Sequence, residues 1–279
     1  MKLVMTLLVR NEEDIIEANI DFHLSQGVDF FIITDNNSTD RTPEILEKYV
    51  VSGKAHVIKE PQDDYSQDLW VTRMARMAAV DYDADWIINN DADEFWWPKN
   101  GSLRDAFSSI GDEFNVVDAH RYNFPPVKGS NNNIPFWQRS LVREVVSKNS
   151  VGNILPPKAA HRALSDASVA QGNHSVSFEH TPVRKLDSNP VIIFHYPLRS
   201  YEQFESKIKC GGAAYERNTR FSSNVGITWR SLYEDYKQGK LIEYYSKEEL
   251  SDEQIIAGID NGVFLRDVRL FKYLDSIYS

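Results

Sequence analysis

Apolar and amphipathic stretches alternate along the first hundred residues of the chain. Apolar runs predict strands at residues 2–9, 29–34, 55–58 and 86–88, and the strand at 29–34 is expected to be buried on both faces. Between these runs, apolar positions at helical spacing predict helices after Asn11, after Thr42 and at residues 68–80. Strands that alternate with helices in this way predict an α/β fold with a doubly wound, mostly parallel sheet.

Local signals indicate where the predicted helices begin and end. Asn11 is a capping residue followed by three acidic residues, and Gly27 is a suitable C-terminal stop. Thr42 precedes Pro43, which is favoured at the first helical position, so Thr42 is the expected cap of the second helix. In the third helix, Leu69 is expected to face inward.

The pattern changes after residue 100, where a smaller antiparallel part is expected. The predicted elements are strands at 116–122, 139–146 and 191–195, a loop at 125–135 and a helix at 200–218. Gly211 and Gly212 either interrupt this helix or let another element approach it closely. Helices are expected to the C-terminus, with division points near residues 100 and 230.

Three carboxylates stand within four residues directly after the fourth predicted strand. Asp91, Asp93 and Glu94 follow Asn89 and Asn90 and are bracketed by apolar residues. Carboxylates this close repel one another unless a cation neutralises them, and oxygen ligands suit Mn²⁺ or Mg²⁺. We therefore expect a metal site at the carboxyl edge of the sheet, where open α/β sheets bind ligands. A solvated acidic turn is the alternative.

The net charge and the cysteine count limit the classes of binding partner and the compartment that are expected. The formal net charge of −10 disfavours nucleic acid and polybasic membrane attachment, because both need clustered Lys and Arg. Cys210 is the single cysteine, so no internal disulfide forms and a reducing, cytoplasmic compartment fits. The apolar run at residues 1–9 is too short for a signal peptide or a membrane span, so at most peripheral membrane contact at the inner face is expected.

Four motifs in order carry a resemblance to a known family. They are Leu8-Val9-Arg10-Asn11-Glu12-Glu13, Asp35-Asn36-Asn37-Ser38-Thr39-Asp40, Asp91-Ala92-Asp93-Glu94-Phe95 and His195-Tyr196-Pro197-Leu198-Arg199-Ser200. Together they resemble family 2-type glycosyltransferases, in particular a bacterial subgroup with these last two motifs. The resemblance covers residues 3–97 most firmly and continues to about residue 230.

The resemblance implies a GT-A fold and transfer of a sugar from a nucleotide diphosphate sugar, with UDP-sugar as the expected donor, to the hydroxyl of a glycan or other acceptor. It further implies polysaccharide biosynthesis, a nucleotide-sugar-binding half at 1–100, an acceptor-side half at 101–230 and a helical appendage at 231–279. A divalent ion would stabilise the charge that develops on the departing diphosphate.

The resemblance also assigns roles to single residues. Asp93 would coordinate Mn²⁺ or Mg²⁺ most directly, Asp91 would contact the ribose or the metal, and His195 would complete the metal site or serve as a structural histidine. The expected nucleotide contacts are Val9, Asn11, Asp35, Arg73 and Arg199, although Arg73 and Arg199 also suit a solvated surface. Asn36 replaces the second Asp that is usual in its loop, which bears on base preference.

Inverting transfer needs a base within hydrogen-bond reach of the acceptor hydroxyl. The family usually supplies an Asp, but no Asp stands between Asp166 and Asp187 here. Glu179, His174 and Glu94 are the candidates, with Glu179 slightly preferred on chemical grounds.

Two other functions use similar residues. A metal-dependent nucleotidyltransferase or nucleotide-sugar phosphoesterase also clusters carboxylates, but the chain has neither a G-x-x-x-x-G-K-[ST] nor an H-E-x-x-H motif. A non-catalytic nucleotide- or glycan-binding domain would explain the missing base Asp. It would not explain why both Asp91 and Asp93 are present.

Overall fold

The computed structural model describes residues 1–222 and 224–279. They form two compact units, one of residues 1–121 and 156–193 and the other of residues 122–155 and 194–279.

The elements follow one another in mixed α/β order. The strands are β1 Leu3–Val9, β2 Phe30–Asp35, β3 Ala55–Lys59, β4 Trp86–Asp91, β5 Glu94–Pro98, β6 Val116–Asn123, β7 Val142–Glu144, β8 Lys158–Arg162, β9 Ala167–Val169, β10 Val176–Phe178, β11 Val191–His195 and β12 Phe264–Arg266. The helices are α1 Ile16–Ser25, α2 Thr42–Val51, α3 Gln67–Val80, α4 Leu103–Ser108, α5 Phe136–Arg139, α6 Tyr201–Arg217, α7 Ile227–Lys237, α8 Leu241–Glu248, α9 Asp252–Asp260 and α10 Arg269–Tyr278.

The main sheet has the strand order β3-β2-β1-β4-β8-β6-β11-β5. The pairs β3-β2, β2-β1 and β1-β4 are parallel, which confirms the predicted parallel part, and β8 runs antiparallel to both β4 and β6. At the carboxyl end of β1, Val9 is opposite Asp35 and Leu8 is opposite Asp91. The register therefore brings both acidic residues to the same edge of the sheet.

The core of the first unit lies where α3 packs on the sheet. The inner face of α3 presents Val71, Met74, Ala75 and Ala78, and these residues contact buried strand residues such as Ile87. Their spacing follows the helical repeat, as the pattern predicts. The prediction that Leu69 faces inward was wrong, since 52% of this residue is exposed and Trp70 is buried beside it.

The first helix starts later than its capping signal predicts. Asn11 has a φ of 55° and lies outside α1, which begins at Ile16. Its Oδ1 accepts a hydrogen bond from the Thr39 amide at 2.7 Å, and Glu13 accepts one from the Arg41 amide. Tertiary hydrogen bonds thus use the side chains that a local cap would have used. The Thr42 cap was also wrong, because α2 begins at Thr42 itself.

Two segments of the second unit bear on the predictions: residues 139–146 and the glycine pair of α6. The predicted strand at 139–146 is confirmed only over β7, Val142–Glu144, since Arg139 ends the short helix α5. Helix α6 runs through Gly211 and Gly212 without interruption. A Cβ at either glycine would lie 2.4 Å from Trp229 or Tyr233 of α7, so the glycines permit a close helix approach. Among the described residues, no helix has the length and apolarity needed to span a bilayer.

Candidate active site

Two loops meet at the carboxyl edge of β1 and β2. Asp35 is buried at the end of β2, and its Oδ1 accepts a hydrogen bond from the Ser38 amide at 3.1 Å. The backbone N–H of Asn11 donates to Ser38 Oγ at 3.0 Å, and Val9 is buried at the end of β1. The three residues predicted to contact the nucleotide at this edge, Val9, Asn11 and Asp35, therefore lie together.

Asn36, the substituted position of this loop, holds the chain after β3. Its Nδ2 donates to the carbonyl of Glu60 at 3.0 Å and to that of Gln62. Arg73 of α3 reaches the same segment, where its Nη2 donates to Glu60 Oε2 at 3.0 Å. Arg73 is therefore paired rather than simply solvated, although its side chain stays partly exposed.

Two of the three carboxylates at the end of β4 are enclosed, and the third, Asp91, is partly exposed. Asp93 is 3% exposed and Glu94 is fully buried, which excludes the solvated acidic turn. Lys158 donates to Asp91 Oδ2. The amide groups of Asn173 and Gln67 donate to Asp91 Oδ1, at 3.1 Å and 3.4 Å.

Glu94 shares the cationic partners of this cluster. Its Oε1 lies 3.4 Å from Lys158 Nζ and 3.4 Å from Arg121 Nη1. Burial raises the pKa of Glu94 to about 7, and Asp91 adds to the rise, whereas Lys158 and Arg121 counteract it. Glu94 Oε2 is buried without a hydrogen-bond partner among the described residues.

Strand pairing explains why Lys158 and Arg121 converge. In the antiparallel pair β8-β6, Lys158 is opposite Ala119, and Arg121 follows Ala119 by two positions on the same face. Sequence analysis missed both cations, because residues 158–162 form a short strand of small and charged residues without an apolar run. Only the long-range register brings them to the carboxylates.

His174, one of the predicted bases, lies beside these charges. Its Nδ1 is 3.0 Å from the Pro157 carbonyl, which can only accept, so Nδ1 carries the proton and Nε2 carries the lone pair. Burial, followed by the positive charges of Lys158 and Arg121, lowers its pKa to about 4. A Cβ at Gly172 would lie 2.6 Å from Nε2, so the glycine makes room for the ring.

Glu179, the preferred base of the sequence analysis, lies in a different environment. Its side chain is 74% exposed, and its carboxylate is 4.0 Å from His180 Nε2. Its role as the base remains a prediction.

His195 and Arg199 lie in the second unit. His195 ends β11, and its Nδ1 lies 2.7 Å from Asn123 Oδ1, so the ring orientation is fixed. Arg199 is 2% exposed, and its Nη1 donates to the Tyr196 carbonyl at 3.2 Å, so the exposed-surface alternative does not hold. Their roles toward metal and phosphate remain predictions.

The donor atoms of the first unit suit a hard cation. Carboxylate oxygens of Asp91 and Asp93 are the preferred ligands of Mn²⁺ and Mg²⁺, and the buried Glu94 Oε2 and Asn173 Oδ1 lack hydrogen-bond partners in the described chain. No group of three or more His, Cys, Asp or Glu side chains within residues 1–222 and 224–279 is arranged to hold a metal by itself. A cation here would need further oxygen ligands, such as water or phosphate.

Comparisons with known proteins place the chain in a family. The family model of glycosyltransferase family 92 matches residues 5–238, so the broader expectation of a glycosyltransferase is confirmed with family 92 in place of family 2. Among curated proteins, none matches the chain in sequence.

Several solved structures are similar to the chain at low identity. S. aureus TarS 1–349 in complex with UDP has a TM-score of 0.44 and 16% identity over 100% of this chain and 91% of that one. The same protein in complex with UDP-GlcNAc has a TM-score of 0.45 and 13% identity over 86% and 73%. Glucosyl-3-phosphoglycerate synthase from Mycobacterium tuberculosis, in complex with Mn²⁺, UDP and glucosyl-3-phosphoglycerate, has a TM-score of 0.29 and 20% identity over 43% and 44%.

Proposed function

Because the chain belongs to glycosyltransferase family 92, we propose that it transfers a sugar from a nucleotide diphosphate sugar to an acceptor hydroxyl with inversion. A UDP-sugar is the proposed donor, and a glycan or another hydroxyl compound is the proposed acceptor.

One observation carries this proposal. Asp35 and Asp91 end the two strands that flank β1, and both lie at its carboxyl end. A nucleoside bound over Asp35 would then extend its diphosphate toward Asp91 and Asp93. The carboxyl edge of an open α/β sheet is the usual place for such a ligand.

The nucleoside contacts follow from the loops at this edge. The carboxylate of Asp35 can accept a hydrogen bond from a pyrimidine N–H, which supports uracil as the base. Asn11 and the buried Val9 would shape the floor beneath it, and Arg73 would approach the same loop from α3. We assign Arg199 to a phosphate oxygen as a further proposal.

Asp91 and Asp93 are the proposed holders of Mn²⁺ or Mg²⁺, with water or phosphate oxygens as the remaining ligands. When bound, the ion would offset the negative charge that develops on the leaving diphosphate. Glu94, fully buried behind them, would maintain the charge balance of the cluster rather than meet the acceptor.

His174 is the proposed base. Its neutral imidazole at pH 7 offers the Nε2 lone pair, which takes the proton from the acceptor hydroxyl as the new bond forms between the acceptor oxygen and the sugar C1. The bond between C1 and the diphosphate oxygen breaks, and its electron pair leaves with the nucleoside diphosphate. The low basicity of His174 suits a base that acts late, when the hydroxyl is already bonding to C1.

The test is release of nucleoside diphosphate from a panel of nucleotide sugars, with and without acceptors. We expect His174→Gln to lower kcat by about 10²–10⁴-fold while UDP affinity is kept. Glu179→Gln is the matched control and should stay within about twofold, the usual range for an exposed side chain away from the chemistry. If Glu179→Gln loses activity and His174→Gln does not, the base assignment is wrong. If no nucleotide sugar is bound or turned over, the function itself is wrong.

A further inference from the structure

Lys158 is a buried lysine that the proposed reaction does not use. It is 1% exposed and lies between Asp91 and Glu94, with its Nζ 3.4 Å from Glu94 Oε1. Taking an ammonium group out of water is costly, and an apolar side chain of similar volume usually fills such a place as well or better. Packing alone therefore does not account for Lys158.

The charges around Lys158 indicate that it affects metal binding by the neighbouring carboxylates. Asp91, Asp93 and Glu94 bring three carboxylates, and Lys158 and Arg121 bring two cations. The ammonium group of Lys158 lies at Asp91 and Glu94 themselves and offsets their negative charge, which weakens their attraction for a divalent ion. A bound diphosphate would add negative charge and restore that attraction.

We propose that Lys158 makes metal binding depend on the donor. It occupies Asp91 and Glu94 while no nucleotide is present, so the divalent ion enters together with the nucleotide diphosphate and not before it. The four-carbon stem of lysine lets the ammonium group shift when the ion arrives. This inference rests on the proposed function, since it concerns the same metal and the same donor.

The experiment is a titration with Mn²⁺, followed by the electron paramagnetic resonance signal of the free ion, with and without UDP. We expect the natural chain to bind Mn²⁺ at least tenfold more tightly with UDP than without it. Lys158→Met should bind Mn²⁺ without UDP at least tenfold more tightly than the natural chain does. Repulsion between an ammonium group and a divalent ion a few ångströms apart is worth more than that even at an effective dielectric constant of about 20.

Lys185 offers a matched control in the same unit. It pairs with Asp118 at 2.7 Å in a half-exposed position, so Lys185→Met also removes one lysine from a carboxylate. Lys185→Met should bind Mn²⁺ as the natural chain does, with the same dependence on UDP. If it matches Lys158→Met instead, the effect is one of net charge and the proposal fails.

Two further outcomes keep the test decisive. If Lys158→Met is unfolded without metal, Mn²⁺ alone must restore its folding, and failure to do so overturns the proposal. Glu94→Gln should bind Mn²⁺ without UDP more weakly than the natural chain, and equal or tighter binding also overturns it. If the natural chain binds no Mn²⁺ even with UDP, the proposed function fails rather than the role of Lys158.

Discussion

The two units of the chain bury carboxylates in two different ways. In the first unit, Lys158 and Arg121 bring positive charge to Asp91 and Glu94. In the second unit, Glu144 and Glu248 have neutral partners, which are Ser147 and Asn123 for Glu144 and Tyr244 for Glu248. Burial raises the pKa of both glutamates, as it does that of Glu94, but of these three glutamates only Glu94 has cations that counteract the rise.

The two clusters differ in whether cationic or neutral side chains contact the buried carboxylates. Neutral donors form hydrogen bonds with carboxylate oxygens but do not offset their charge. The protonated form of such a buried carboxyl group is therefore favoured. Cations compensate the charge itself, at the cost of removing ammonium and guanidinium groups from water. A site that meets a metal and a diphosphate needs the second arrangement. We therefore regard the cluster of the first unit as functional and that of the second as structural.

Asp93→Asn should have the largest effect, because it removes charge from the functional cluster. We expect turnover to fall by about 10³-fold or more, since the ligand that stabilises the leaving diphosphate through the metal is lost. The shape of the side chain is kept, so far-ultraviolet circular dichroism should not change. Nucleoside diphosphate release measures the loss, and near-normal turnover would remove the metal argument.

Arg121→Met should have the next largest effect, which is a loss of stability. Arg121 lies against the fully buried Glu94 and also donates to the Pro156 carbonyl at 3.0 Å. Removing one partner of a buried pair leaves a charge uncompensated, but Lys158 remains, so we expect a loss of about 2–3 kcal/mol in the free energy of unfolding. Urea denaturation at pH 7 measures it.

The control for Arg121→Met is Arg41→Met, which breaks the exposed pair of Arg41 with Glu44. Water screens that pair, so no measurable change in the urea midpoint is expected. Equal losses in the free energy of unfolding from the two variants would show that the buried pair of Arg121 and Glu94 contributes no more to stability than an exposed pair does.

Asn123→Ala tests the second unit. Asn123 contacts both His195 and Glu144, so its loss removes the hydrogen bond at His195 Nδ1 and a donor to Glu144. If His195 ligates the ion, Mn²⁺ affinity in the presence of UDP should fall about 10–100-fold, as it does when a ligand histidine loses its orienting partner. Stability should fall by about 1–3 kcal/mol, the usual cost of an unsatisfied buried group.

Ser147→Ala separates these two effects. Ser147 Oγ accepts a hydrogen bond from the backbone N–H of Asn123 at 2.8 Å and also bonds Glu144, whereas His195 bonds the side-chain Oδ1 of Asn123. A similar loss of stability without loss of Mn²⁺ affinity is expected. A loss of affinity in both variants would point to general loosening rather than to His195.

The sequence predicted the edge of the sheet but not the cations that converge on it. Buried strands are contiguous apolar runs, so β1, β2 and β4 were recognisable, and parallel order then placed Asp35 and Asp91 at one edge. Lys158 and Arg121 depend on the register between β8 and β6, which no local pattern encodes. Asn11 was misread for the same reason, since its side chain bonds a loop twenty-eight residues away.

Glu248→Gln should have the smallest effect, and its sign shows whether Glu248 is stabilised as an acid or as a charge. The pKa of Glu248 is raised in the folded state, so the folded chain keeps a proton that the unfolded chain releases as pH rises above about 4.5, the ordinary pKa of Glu. Stability therefore falls as pH rises through the raised pKa, and this cost stays in place above it. Replacing Glu248 with neutral Gln should remove this cost. We expect a gain of about 0.5 kcal/mol in the free energy of unfolding at pH 8, after solvent screening, and no gain at pH 4.

The control is Glu243→Gln, an exposed position on the same helix, which should change stability at neither pH. Urea midpoints at pH 4 and pH 8 measure the effect, and a loss of stability at pH 8 would mean that Glu248 is stabilised as a charge.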